Sequence, residues 1–152
     1  MEHSIRAIVP ADLDAARRII AATGLFPAEL LADMVAPALA GADELWFVAI
    51  TNGVSGLAYA APERLTNGTW NALLLAVDPA AHGRGLGRAL MDQVARSLTG
   101  RARVLLVETS GRAEFTGTRT FYERIGYRRV ATIPAYYDDD DDKVVFWKSL
   151  SS

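Results

Sequence analysis

A chain of 152 residues, 51% of them hydrophobic, suits one compact domain with a substantial core, and residues 1–152 are read as that single domain. A charged fraction of 22% and a net charge of −2 exclude a disordered chain, and without a basic block they argue against nucleic acid as a partner. The absence of cysteine removes disulfides, thiolate metal sites and cysteine nucleophiles together, and it fits a reducing cytoplasm.

Residues Met1 to Pro10 hold no basic region followed by a long apolar stretch, so no signal peptide is expected. Nowhere do about 18 apolar residues run together, so no membrane span is expected either. Ile5 to Val9 is a short β-like run that stops at Pro10. Leu13, Ala16 and Ile20 then follow a helical period, with Asp12 and Asp14 at the positive end of the helix dipole and Gly24 as a stop. Pro27 can open a second helix whose apolar face is Leu30, Leu31, Met34 and Val35, and Pro37 is expected to end or kink it.

The period then changes. Leu45 to Ile50 and Val54 to Ala60 read as two strands around an Asn52-Gly53 hairpin signal. Asn67-Gly68 marks another turn, before a long apolar strand from Thr69 to Val77 that Asp78-Pro79 ends. Leu86, Leu90, Val94 and Leu98 recur every fourth residue, one face of a helix that Gly100 closes. Val104 to Val107 is a buried-type strand, Thr118 to Ile125 a shorter helix, and Tyr127 to Ile133 and Val144 to Trp147 two further strands. The order β-α-α-β-β-β-α-β-α-β-β predicts a mixed α/β (α+β) fold. Its sheet has about seven strands and is mostly antiparallel, with helices on its faces and one parallel pair across the crossover at 69–107.

The stretch His82-Gly83-Arg84-Gly85-Leu86-Gly87-Arg88 lies between that strand and helix. Glycines at alternate positions remove side chains where the helix begins, so backbone N–H groups can converge with the helix dipole behind them, and Arg84 and Arg88 add charge at the rim. A phosphate or pyrophosphate is the ligand this chemistry wants. Arg88 stands where a dinucleotide fingerprint needs its third glycine, and no Gly-Lys-Ser/Thr run supplies a P-loop.

Val77-Asp78-Pro79 followed by Gly83 to Met91 resembles the acetyl-CoA pyrophosphate loop and helix of the GNAT acetyltransferase superfamily. The superfamily's Gln/Arg-x-x-Gly-x-Gly/Ala appears here as His82-x-x-Gly85-x-Gly87, a departure at its first position. Phe121 to Tyr127 is similar to the superfamily's Tyr-x-x-x-Gly-Phe/Tyr element, and the element order matches its fold along almost the whole chain. The resemblance implies acetyl-CoA as co-substrate, bound by Gly83, Arg84, Gly85, Leu86, Gly87 and Arg88. The pantetheine arm would run along Leu75, Ala76 and Val77, and an N–H near Val77 would stabilise the oxyanion as an amine attacks the thioester directly in a ternary complex. Tyr122 matches the tyrosine that protonates the departing thiolate.

Glu108, directly after the apolar strand, is the first candidate for the base that an ammonium acceptor needs. Tyr59, Trp70, Asn71 and Tyr137 are candidates for the acceptor pocket, each with core or surface packing as the plainer alternative. The run Asp138 to Asp142 reads as a solvated hairpin tip, with an acidic rim for a cationic acceptor as the other reading, and no metal site is expected of it. Small-molecule, peptide and protein amines all stay open as acceptors, as do a homodimer and, as the alternative to an enzyme, a non-catalytic CoA-binding module.

Overall fold

The computed structural model describes residues 2–151. In chain order the elements are β1 (Ser4–Ala7), α1 (Leu13–Thr23), α2 (Leu31–Leu39), β2 (Leu45–Ile50), β3 (Val54–Pro62), β4 (Thr69–Val77), α3 (Leu86–Leu98), β5 (Val104–Ser110), α4 (Thr116–Arg124), β6 (Arg128–Asp138) and β7 (Asp141–Ser149). The strands form one seven-stranded sheet in the order β1-β2-β3-β4-β5-β7-β6. β4 and β5 run parallel, whereas β1–β2, β2–β3, β5–β7 and β6–β7 pair antiparallel. The expected mixed sheet with its parallel pair is therefore present.

The parallel ladder is short. It runs from Thr69↔Val104 to Ala72↔Val107 and goes no further. The chain divides into two compact units at that same place in β4: Met1–Pro62 with Leu73–Ser97, and Glu63–Ala72 with Leu98–Ser152.

In the first unit, α1 and α2 exist because their apolar residues fall on one side. Ala16, Ile19 and Ile20 of α1 and Leu31 and Val35 of α2 are buried in one cluster with Trp46, Val48, Leu57, Leu74 and Ala76. Within this unit α3 buries Leu86, Leu90, Met91 and Val94, the four-residue period of the sequence with Met91 added. Each such large side chain contributes roughly 1.5–3 kcal/mol on burial. Gly24 ends α1 in the left-handed conformation, as its position suggests.

In the second unit, Leu105 and Val107 of β5, Val144 and Phe146 of β7, and Tyr122 and Tyr127 are buried. The carbonyl of Gly68 accepts the N–H groups of Arg103 (2.7 Å) and Val104 (3.2 Å), which fixes the start of the parallel pair.

Several expected boundaries move. Pro27 precedes a 3-10 turn at Ala28–Leu30, and α2 begins only at Leu31. Pro37 lies inside α2, whose last residue is Leu39, so the helix ends two residues beyond it and not at it. β5 continues to Ser110, because β7 supplies partners for its polar end: Glu108 pairs with Val145 and is inside the strand, not beyond it. α4 begins at Thr116, two residues before the expected start. β6 extends to Asp138, so Tyr136 and Tyr137 are strand residues. The acidic run is only in part a solvated tip. Asp138 pairs with Asp141 across Asp139-Asp140, and Asp141 is buried.

Candidate active site

The first unit carries the glycine loop. The Asp78 N–H is bound to the Ser55 carbonyl at 2.8 Å, and its carboxylate accepts the Ala80 N–H at 3.0 Å, so β4 ends in a fixed turn. His82 Nε2 lies 3.2 Å from the Val77 carbonyl and thereby folds the loop back on the strand end. Gly83 and Gly85 follow with φ of +79° and +76°, a region that side chains disfavour. The Gly85 carbonyl accepts the Ala89 N–H at 3.0 Å and begins α3, so the amides of Leu86, Gly87 and Arg88 have no acceptor within their helix. A Cβ placed on Gly83 or on Gly85 would meet nothing within 4 Å. Neither glycine is there to relieve a steric clash; the left-handed backbone and the first-turn amides of α3 are what fit a pyrophosphate. Arg88 also reaches Asp92, with Nε 3.9 Å from the carboxylate.

Leu75, Ala76 and Val77 follow the last residue of the parallel ladder; Ala76 is buried, whereas Leu75 and Val77 are half-buried. Gly56 of β3 explains their position. A Cβ there would stand 3.1 Å from the Ala76 carbonyl oxygen, 3.1 Å from Leu90 Cδ1 and 3.6 Å from Val77 Cγ2. Close approach of strand β3 to both β4 and α3 requires glycine at that place. Sequence analysis did not single out Gly56; its only trace is a glycine inside a strand pattern.

Tyr59 belongs to the same unit. Its ring stacks on Trp46 at 4.2 Å between centroids, and its hydroxyl donates to Glu44 Oε2 at 3.2 Å. Burial and the Glu44 carboxylate push its phenol above the ordinary value.

The second unit holds the remaining candidates. Trp70 and Asn71 are both buried. Arg101 covers the Trp70 ring at 5.0 Å from its centroid, and Asn71 Nδ2 donates to Glu63 Oε1 at 3.0 Å. Tyr122 is buried among rings, 5.1 Å from Phe121, 5.8 Å from Phe146 and 6.0 Å from Tyr127. Burial pushes its phenol far above the ordinary tyrosine range, so the hydroxyl keeps its proton at any working pH.

Glu108 Oε1 lies 2.9 Å from Lys143 Nζ, and that ammonium stands 3.8 Å from the centroid of the Tyr136 ring. Tyr137 packs edge to face on Tyr136 at 5.1 Å. Burial, then the Glu108 carboxylate, raises the Tyr137 phenol, against the opposing effect of Lys143. Glu108, Lys143 and Tyr136 therefore form one chain of contacts, and Tyr137 lies near enough to feel the charges of Glu108 and Lys143. Lys143 was not expected at a site. The sequence signal available was a rare residue type: Lys143 and Lys148 are the only lysines in the chain.

The acidic run is engaged by neighbours. Ser110 Oγ donates to Asp141 Oδ1, Arg112 reaches Asp140 and Asp141, and Asp142 Oδ1 accepts the Ala135 N–H at 2.9 Å. Among the described residues no group of three or more His, Cys, Asp or Glu is placed to hold a metal. None of the described helices is long and apolar enough to cross a membrane.

Residues 42–129 match the family model of the acetyltransferase (GNAT) domain. Among solved structures, the chain is similar to a GNAT-family protein from Desulfovibrio desulfuricans, with 31% identity, a TM-score of 0.88, and 98% of this chain and 99% of that one covered. It also shares its fold with the ribosomal-protein-S18-alanine N-acetyltransferase of Escherichia coli (24% identity, TM-score 0.81, 99% and 96% covered). The same holds for yncA from Salmonella typhimurium, solved with its cofactor acetyl-CoA (20% identity, TM-score 0.78, 100% and 96% covered).

Proposed function

This chain belongs to the GNAT family of acetyltransferases, and on that premise we propose that residues 1–152 act as one domain that binds acetyl-CoA at the loop Gly83–Arg88. The acetyl group passes in a ternary complex to a primary amine on a small molecule, a peptide or a protein. The observation that carries this reading is the loop itself: two left-handed glycines leading into the first-turn amides of a 13-residue helix, which have no acceptor within that helix. Acetyl-CoA, once bound, supplies the activated acetyl thioester.

The amides of Leu86, Gly87 and Arg88 receive the pyrophosphate, with the guanidinium groups of Arg84 and Arg88 at the rim. Leu75, Ala76 and Val77 offer backbone groups to the pantetheine amides. The Asp78 N–H is committed to Ser55, which leaves an amide at or before Val77 to meet the charge that develops on the thioester oxygen. A donor of this kind contributes roughly 10²–10³ in rate. Glu108 receives the proton of the acceptor ammonium. Tyr122 donates its phenolic proton to the departing thiolate; the burial that keeps it protonated also makes it a weak acid, so the step depends on direct contact with the sulfur. Tyr137, exposed and beside Glu108, is the candidate with free surface on the acceptor side. Tyr59 in the first unit and Trp70 and Asn71 in the second stay candidates for acceptor contact, each already engaged by a protein neighbour. The non-catalytic reading is the weaker one, because the candidate acid Tyr122 and the candidate base Glu108 are not replaced by inert residues.

The cysteine-free composition supports a cytoplasmic enzyme, since disulfides are rare in that compartment. The exposed edge strand β6 supports pairing with a second copy.

The test is calorimetric titration of the protein with acetyl-CoA, beside the Gly85→Glu variant. Micromolar binding by the wild type and none by the variant is expected. A folded wild type that binds no acetyl-CoA overturns the reading. Turnover is then followed as CoA release on a panel of amines: alanine-terminated peptides, spermidine and an aminoglycoside.

A further inference from the structure

We propose that Lys143 is the positioning residue of the acceptor side, holding the Glu108 carboxylate by one oxygen and leaving the other to an incoming ammonium. The inference rests on the acceptor-side role given to Glu108 above.

The pairing is built into the sheet. Glu108 stands opposite Val145 in the β5–β7 ladder, and Lys143 lies two residues before Val145, hence on the same face and diagonal to Glu108. On its other side Lys143 pairs with Ile133 of β6. Its side chain is only 10% exposed and that of Glu108 24%. The ammonium is confined by the carboxylate at 2.9 Å and by the Tyr136 ring face at 3.8 Å. Burial works against the charge on Lys143, but the Glu108 carboxylate and Tyr136 outweigh it and hold the ammonium above the ordinary lysine range. Such a lysine is a poor nucleophile, so inside an acetyltransferase it serves as a fixed counter-ion and not as an acyl acceptor. Oε1 is taken, and Oε2 is the oxygen left to orient an amine and receive its proton.

The chain has only two lysines, so the pair can be read chemically without any acceptor. In trace labelling with acetic anhydride, Lys143 is expected to react at least about tenfold faster, relative to Lys148, in Glu108→Gln than in the wild type. Equal ratios in the two proteins overturn the proposal. In CoA-release kinetics with the fastest amine of the panel, Lys143→Met is expected to lower kcat about tenfold or more while the acetyl-CoA Kd stays unchanged. Lys143→Arg, which keeps the charge and guards against a misfolded Met variant, is expected to restore most of the rate. Unchanged kinetics in Lys143→Met overturn the positioning role. If Glu108→Gln keeps full activity while its labelling ratio rises, the base assignment fails and the ion pair stands.

Discussion

The hydroxyl of Ser110, at the end of β5, donates to the carboxylate of Asp141, at the start of β7, and both side chains are buried. Asp141 also lies 3.7 Å from Arg112, whose own N–H donates to the Ser110 hydroxyl at 3.1 Å. Arg119 of α4 donates to the carbonyls of Ser110 (2.7 Å) and Arg112 (2.9 Å). One acid of the five thus ties the last hairpin to the end of β5 and the start of α4, the helix that bears Tyr122.

Removing that acid leaves a buried hydroxyl without its acceptor, which costs about 1–3 kcal/mol. Asp141→Ala is therefore expected to lower Tm by roughly 2–4 °C for each kcal/mol lost. Asp139→Ala, at the exposed turn, is expected to stay within about 0.5 kcal/mol of the wild type. Thermal unfolding followed by circular dichroism separates the two, and equal shifts would refute the tie.

Gly56 sets a steric prediction. A methyl group there must push the Ala76 carbonyl and Leu90 apart, since both stand at 3.1 Å from it. Gly56→Ala is expected to cost about 1–3 kcal/mol by overpacking and to weaken acetyl-CoA binding, because Ala76 and Val77 are the strand residues assigned to the pantetheine. Urea unfolding and calorimetry measure the two effects; a destabilised variant with unaltered affinity would detach Gly56 from the binding strand.

Tyr122 gives a prediction with two readouts. Tyr122→Phe keeps the ring among Phe121, Tyr127 and Phe146, so stability near neutral pH is expected to change little, while kcat falls about 10²-fold or more if the phenol protonates the thiolate. The folded phenol titrates far above the unfolded value of 10.0. Its contribution is fully present below that value and is lost as pH rises beyond it, because only the unfolded chain then releases the proton. Wild-type stability is expected to fall above about pH 10 more steeply than that of Tyr122→Phe. Parallel curves would place the phenol in a solvated setting.

The Arg6–Asp12 pair sets the acid side. Arg6 donates to both oxygens of Asp12, at 2.7 and 2.9 Å, and the Val9 N–H adds a third bond at 2.9 Å. The hydrogen bonds from Arg6 first, and then the one from Val9, outweigh burial and hold the Asp12 carboxyl below its ordinary value of 3.8. Its contribution is present above that value and is lost as pH falls through the depressed one. The stability difference between wild type and Asp12→Asn is expected to be largest near neutral pH and to shrink below about pH 4. Urea unfolding across pH 2.5–7 checks it, and a constant difference would refute the linkage.

Much of this protein is written in local pattern. The four-residue period from Leu86 to Leu98 determines α3, since one apolar stripe can be buried only as a helix. Asn52-Gly53, Gly68 and Gly100 mark turns because few other residues tolerate positive φ there. Gly83 to Gly87 are the local signal behind the proposed anion-binding loop, whose chemistry would lie in consecutive backbone amides, and the order of elements then fixes the mixed sheet. Tertiary structure decided what depends on partners distant in the chain. β7 draws β5 on to Ser110 and so puts Glu108 inside a strand; the sheet sets Lys143 diagonal to Glu108; and Asp141 is drawn from solvent by Ser110, 31 positions away in the chain. A charge's role is set by what faces it across the sheet, and a window of neighbouring residues contains no record of that.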